Sequence, residues 1–288
     1  MSNRVPVVIL WAGLLGAAIP GKQVLSAESI TPPPTAAEAL TRPLTRLKQQ
    51  LERQELTMGS KVYLRIFKLP ERLELWIESR GRFRLFKGYP ICCYAGFLGP
   101  KLAEGDQQSP EGFYQVRLDQ LNPHSRYHLA FDIGYPNLYD TIHGRQGSQI
   151  MIHGRCSSRG CFAMGDAAME EIYCLVQAAL QQGQRSVAVH IFPFVPSPAN
   201  LKKFKRSFWS SFWQSQQPMY DFFESNRQVP QVSVIQGSYT LDQPPPAHLS
   251  QLGQHIPKEQ QPWLTNAEAP DESTSSAPPM STAKPSAR

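Results

Sequence analysis

From residue 61 to residue 133, apolar positions come in short runs broken by turn residues, a pattern of strands rather than helices. Lys61–Lys68 (KVYLRIFK) and Arg72–Glu78 (RLELWIE) flank Leu69-Pro70 and predict two strands joined by a turn. Arg82–Tyr89 predicts a third, with Phe83 and Leu85 at alternate positions. Gly96–Pro110 is rich in Gly and polar residues and predicts a loop. Glu111–Leu118 and Tyr127–Ile133 return to the strand pattern. Gln149–His153 is a short apolar strand that delivers His153 to its end.

Beyond it the period changes. Met169, Ile172, Tyr173, Val176, Ala179 and Leu180 share one face of a helix predicted over Ala167–Gln182, with Asp166 as N-cap and Gly183 just past the end. Arg185–Phe192 predicts a buried strand. Ala199–Trp213 and Pro218–Glu224 predict aromatic-rich helices that pack on a sheet. The expected fold is mainly β, of α+β class, with peripheral helices.

The ends lack this patterning. Arg4, the uncharged run Val5–Ile19 and the small residues near Ser26 and Ala27 predict an export signal over residues 1–27. Pro20 and Leu25 weaken its cleavage site, which leaves an uncleaved anchor as the alternative and makes membrane contact conditional on it. The run is short of the roughly 20 apolar residues that span a bilayer. Residues 28–43 are expected to be a linker, 44–239 the folded domain, and 240–288 a disordered tail of Pro, Gln, Ser, Thr and Ala. The net charge of +6 suits anionic partners, whereas the run Lys202-Lys203-Phe204-Lys205-Arg206 reads as a solvated helix face. Export argues against nucleic acid. Five cysteines in an oxidising compartment leave at least one thiol outside intramolecular bridges. Cys161 is the candidate, and Cys92 or Cys93 can pair with Cys156.

Chemistry concentrates in Ile150–Met164 (IMIHGRCSSRGCFAM). A cysteine nucleophile needs a base, and the base needs a group that orients it. His153 stands eight residues before Cys161, Gly154 offers a carbonyl to fix the imidazole, and Ser157-Ser158 with Gly160 permits a tight turn whose N–H groups face an oxyanion. Spacing alone leaves two other readings open. One is a buried thiol beside a structural histidine. The other is a metal set of His153, Cys156 and Cys161, although that set lacks the usual paired ligand spacing.

The segment from Lys61 to about Glu224 resembles the L,D-transpeptidase catalytic domain (YkuD type), and within that family its branch of meso-diaminopimelate protein amidases (YafK type). The resemblance rests on Arg65-Ile66-Phe67-Lys68, Tyr89-Pro90-Ile91-Cys92, Leu98-Gly99-Pro100-Lys101, Glu104-Gly105-Asp106 and Ser109–Tyr114. It continues through Asn122-Pro123, Tyr127–Phe131, Gly134–Asn137, Met151–Gly154, Ser158–Cys161 and His190–Phe194. It implies a mixed β-sandwich of L,D-transpeptidase type. It also implies Cys161 as nucleophile, His153 as proton donor and acceptor, Gly154 as backbone orienter of the base, and no cofactor. Backbone donors at Gly160 and Cys161 would hold the oxyanion. Two departures weaken ordinary cross-linking: Arg159 stands where most of the family has a second histidine, and the spacer is short.

The implied partners are peptidoglycan stem peptides and a wall-bound outer-membrane lipoprotein, met in the periplasm, where hydrolysis would detach the lipoprotein's lysine from diaminopimelate. Transpeptidation and a non-catalytic wall-binding module are the alternatives. Tyr127, His128, Tyr139, His143, Ser148, Arg155, Ser158 and Arg159 are candidates for substrate contact. His124 and His190 are expected to be structural. A catalytic Cys161 is expected to have a depressed pKa.

Overall fold

The computed structural model describes residues 36–242. The expected export segment, residues 28–35 of the linker and residues 243–288 of the tail lie outside the described residues.

The first sheet has five strands in the order β3-β2-β1-β9-β4, with β1 (Val62–Leu69), β2 (Arg72–Ser79), β3 (Arg82–Pro90), β4 (Gly112–Val116) and β9 (Val187–Phe194). The hairpins β1–β2 and β2–β3 are antiparallel, while β1 and β9 run parallel. β1 is central and buried on both faces, which is why its sequence reads as a nearly continuous apolar run. Leu64 and Ile66 enter the main core. The opposite face carries Tyr63, Arg65 and Phe67, and Arg65 is buried only because Glu74 (2.6 Å) and Glu224 hold its guanidinium.

The second sheet has the order β5-β6-β7-β8, with β5 (Leu121–Ser125), β6 (His128–Asp132), β7 (Met151–His153) and β8 (Phe162–Ala163). Its Leu129, Phe131 and Ile152 meet Leu64, Ile66 and Leu75 of the first sheet in one core, so the fold is a mixed β-sandwich of α+β class. Short β8 lies parallel to β7 with Ile152 opposite Phe162 and His153 opposite Ala163.

Helix α1 (Ala36–Arg53) corrects the linker assigned to residues 28–43, because the chain is already helical at Ala36. Leu47 and Leu51 are fully buried one turn apart, and α1 packs on α3 (Asp166–Gln181). That burial carries the helix back across Pro43 despite the linker-like composition. Gly165, not Asp166, is the N-cap of α3. The helix expected over 199–213 is divided into α4 (Pro198–Lys203) and α5 (Ser210–Asn226), and α5 absorbs Pro218. The short helix α2 (Leu138–Ile142) precedes β7. A hairpin of β10 (Val232–Ile235) and β11 (Ser238–Leu241) turns at Gln236-Gly237, both with positive φ, and takes the domain past its expected end at Tyr239. None of the helices among the described residues is long and apolar enough to cross a membrane.

Candidate active site

Cys161 immediately precedes β8, and the parallel register extended by one residue sets it beside Met151. The Met151 N–H donates to Cys161 Sγ at 3.4 Å, and the thiol reaches the Gln149 carbonyl at 3.6 Å. His153 is two residues further along β7 and therefore on the same face of the sheet as Met151. The thiol is thus placed by β8 beside β7, the strand that ends at His153.

His153 is buried, 2% exposed. Its Nδ1 lies 2.5 Å from the Gly154 carbonyl, a contact that requires Nδ1–H as donor and leaves Nε2 as the free base. The Tyr127 ring covers the imidazole at 4.7 Å between centroids. Gly154 has no room for a side chain: a Cβ there would sit 2.7 Å from Asp166 Oδ1 and 2.8 Å from the Tyr127 carbonyl.

Burial depresses the His153 pKa below its ordinary value, and the Gly154 hydrogen bond only partly offsets this. Burial also pushes the Cys161 thiol up; Asp132 adds to the rise, while the Met151 N–H and Lys101 oppose it. The depressed thiol pKa expected from sequence is thus reversed, because removing a thiolate from water costs more than these donors return. Both shifts favour the uncharged forms at neutral pH, a thiol and a neutral imidazole.

The turn before Cys161 is fixed by hydroxyl groups. Ser158 Oγ donates to the Cys161 carbonyl at 2.7 Å and accepts from the Gly160 N–H at 3.0 Å, and Ser109 Oγ also donates to that carbonyl at 3.2 Å. Gly160 adopts φ +149° and packs near Ile150 and the Gln108 carbonyl. The Gly160 N–H, expected to face an oxyanion, is hydrogen-bonded to the Ser158 hydroxyl within the turn. Ser158 likewise shapes the loop.

The remaining candidates divide. Tyr127, Arg155 and Arg159 are exposed beside the His153–Cys161 segment, and Ser148 lies 3.4 Å from Glu104. The His128 imidazole is committed to Glu170 at 3.0 Å. The Tyr139 ring is buried and stacked between His143 (4.0 Å) and Tyr239 (4.1 Å). His143 in turn bonds the Tyr139 carbonyl at 2.8 Å. His190 is structural, bonded to Tyr63 Oη at 2.7 Å. Cys156 forms a disulfide with Cys92, so the set His153, Cys156 and Cys161 cannot ligate a metal together. Sequence reasoning missed Ser109, Lys101 and Asp132, which reach the site from distant loops and strands.

The sequence model of the L,D-transpeptidase catalytic domain (YkuD) matches residues 66–190, a span that holds both His153 and Cys161. The protein YafK of Escherichia coli K12, named as an L,D-transpeptidase, is 46% identical over 205 residues, covering 71% of this chain and 81% of that protein. The chain belongs to the L,D-transpeptidase family. YafK of Escherichia coli O157:H7 matches to the same extent. Among solved structures, the helical cell shape determining protein Pgp2 of Campylobacter jejuni (K307A mutant) is 26% identical with TM-score 0.39, over 48% of this chain and 49% of that one. Bd1075 of Bdellovibrio bacteriovorus is 22% identical with TM-score 0.37, over 57% of this chain and 63% of that one. Membership in the L,D-transpeptidase family supports cysteine-based chemistry on peptidoglycan.

Proposed function

We propose that this chain is a periplasmic thiol hydrolase that cuts the amide bond joining diaminopimelate of the stem peptide to the lysine of an outer-membrane lipoprotein. The observation that carries the chemistry is the local geometry: Cys161 Sγ is held by the Met151 N–H of β7, and His153 at the end of the same strand spends its Nδ1–H on Gly154. His153 Nε2 takes the thiol proton as Sγ bonds to the amide carbonyl carbon, with the Cys161 N–H as oxyanion donor. The C–N bond then breaks and the amine leaves with that proton. Water, deprotonated by the same imidazole, opens the thioester and restores the thiol.

Hydrolysis is favoured over cross-linking by the similarity to YafK and by Arg159 in place of a second histidine. A periplasmic site is supported by the Cys92–Cys156 disulfide, which suits an oxidising compartment. The test is mass spectrometry of muropeptides from lipoprotein-bearing sacculi incubated with wild type and Cys161→Ala. Loss of the lipoprotein remnant with wild type alone is expected. A rise in diaminopimelate cross-links would instead assign transpeptidation, and no change in either would leave a wall-binding module.

A further inference from the structure

The peptide unit between Gly154 and Arg155 is hydrogen-bonded at both ends. Its carbonyl faces His153 Nδ1, and its N–H donates to Asp166 Oδ1 at 2.6 Å. The flanking backbone is tied down as well: Gly154 N–H to the Leu129 carbonyl at 3.0 Å, Gly165 N–H to Arg155 O at 2.8 Å, and Met164 N–H to His153 O at 2.8 Å. Arg155 is held at φ +55°, a conformation that a non-glycine residue adopts only when its surroundings impose it.

We propose that Asp166 is a positioning residue that acts on His153 through the Gly154–Arg155 peptide unit, so that carboxylate, peptide and imidazole form one line of hydrogen bonds. The proposal rests on the reading of His153 as the base. The Asp166 carboxylate pulls on the N–H, which raises negative charge on the carbonyl oxygen at the other end of the same conjugated unit. That oxygen then holds the Nδ1–H more firmly, fixing the tautomer and making Nε2 more basic. A carboxylate bonded directly to Nδ1 does the same in serine hydrolases; here a peptide bond stands between them. Asp166 also explains why residue 154 is glycine, because a Cβ would collide with Oδ1 at 2.7 Å. The other groups beside His153 and its support are the Tyr127 ring, which lies on the imidazole, and the His128–Glu170 pair, whose His128 Cβ lies by Gly154.

The test uses the full chain with Asp166→Asn, which keeps an acceptor oxygen without the charge, and Asp166→Ala, which removes both. The readouts are the NMR titration of the His153 ring, assigned with His153→Gln, and the rate at which iodoacetamide alkylates Cys161 at pH 7, followed on the Cys161 peptide. The alanine variant is expected to slow alkylation about tenfold and the asparagine variant about threefold, and both should move the His153 midpoint to lower pH. If the alanine variant does not fold, the asparagine variant alone decides. An unmoved midpoint, with or without a slower rate, overturns the proposal, because a merely structural carboxylate would leave the basicity of His153 as it is. Neither readout uses a wall substrate, so this result is separable from that of the sacculus experiment.

Discussion

The Tyr127 ring lies against the His153 imidazole, with centroids 4.7 Å apart and planes inclined by 39°, and adds to the cover of a side chain that is only 2% exposed. Tyr127 itself remains 45% exposed, so one ring face shields the base while the other meets solvent or substrate. Replacing it with alanine admits water to the imidazole and relieves the burial that depresses its pKa. Tyr127→Ala should therefore raise the His153 midpoint toward 6.5 and shift the acid limb of activity to higher pH. Tyr127→Phe should leave both near wild type. A pH–rate profile of the three proteins checks this, and coincident profiles would remove the shielding role.

The thiol predicts its own pH dependence. Burial raises the Cys161 pKa, so the thiolate becomes the main form only above the ordinary thiol range. Alkylation by iodoacetamide should continue to rise beyond pH 9 in His153→Gln, with no plateau near neutrality. A plateau below pH 7 in that variant would show a thiolate formed without the base.

Much of this was legible in the sequence, and the exceptions have physical causes. Strands β1, β2, β3 and β9 and helix α3 announce themselves because each is long and buried enough for its period to dominate. β5 does not: it is an edge strand, half-buried, and contains Pro123, which an edge tolerates and a central strand would not. The β10–β11 hairpin carried a usable turn signal in Gln236-Gly237, but its strands are four residues each. Cys161 and His153 are close in sequence, so a motif finds them. Ser109 meets the Cys161 carbonyl across 52 residues, and such a contact has no local signature. The bond from the Gly160 N–H to the Ser158 hydroxyl was hidden for a related reason: spacing does not reveal the direction of one backbone N–H.

Acid stability should be governed by His190. Burial, reinforced by Arg65, lowers its pKa to about 3, against an ordinary value of 6.5 in the unfolded chain. Between these values the unfolded state binds the extra proton, so stability falls as pH falls through this window. The loss is complete below about pH 3 and amounts to roughly 4–5 kcal/mol at about 1.4 kcal/mol per unit. His190→Gln keeps an acceptor for Tyr63 and removes the titration. Its denaturation midpoint should vary less between pH 6.5 and 4 than that of wild type; equal slopes would place the acid lability elsewhere.

The Cys92–Cys156 disulfide fastens the end of β3 to the loop that leads to Cys161, closing 64 residues of chain. Loop-closure entropy for that length corresponds to about 4 kcal/mol, before any relaxation of the reduced state. Cys156→Ser should lower the melting temperature and, because the 154–161 segment loses one of its anchors, reduce alkylation of Cys161 at pH 7. Calorimetry and peptide mass spectrometry separate the two effects. A fully stable but slow variant would assign the disulfide to the site alone.

Beneath the loop over 95–110, Lys68 and Glu111 form an ion pair at 3.1 Å with both side chains fully buried. Glu111 also accepts from the Gly99 N–H at 2.7 Å and from Trp213 Nε1 at 2.8 Å, and Lys68 donates to the Gly99 carbonyl at 2.7 Å. Burial lowers the Lys68 pKa, and Glu111 is what holds the ammonium charged there. Glu111→Gln keeps the size and one acceptor oxygen but leaves a buried cation without its counter-charge, a change that typically costs about 3–5 kcal/mol. Because the same carboxylate fixes Gly99, and Ser109 of that loop holds the Cys161 carbonyl, lost stability and lost reactivity should appear together. The double variant Lys68→Met, Glu111→Gln removes the stranded charge and should recover much of the stability, measured by urea denaturation. Recovery of stability without recovery of Cys161 alkylation would show that the pair serves the loop rather than the core.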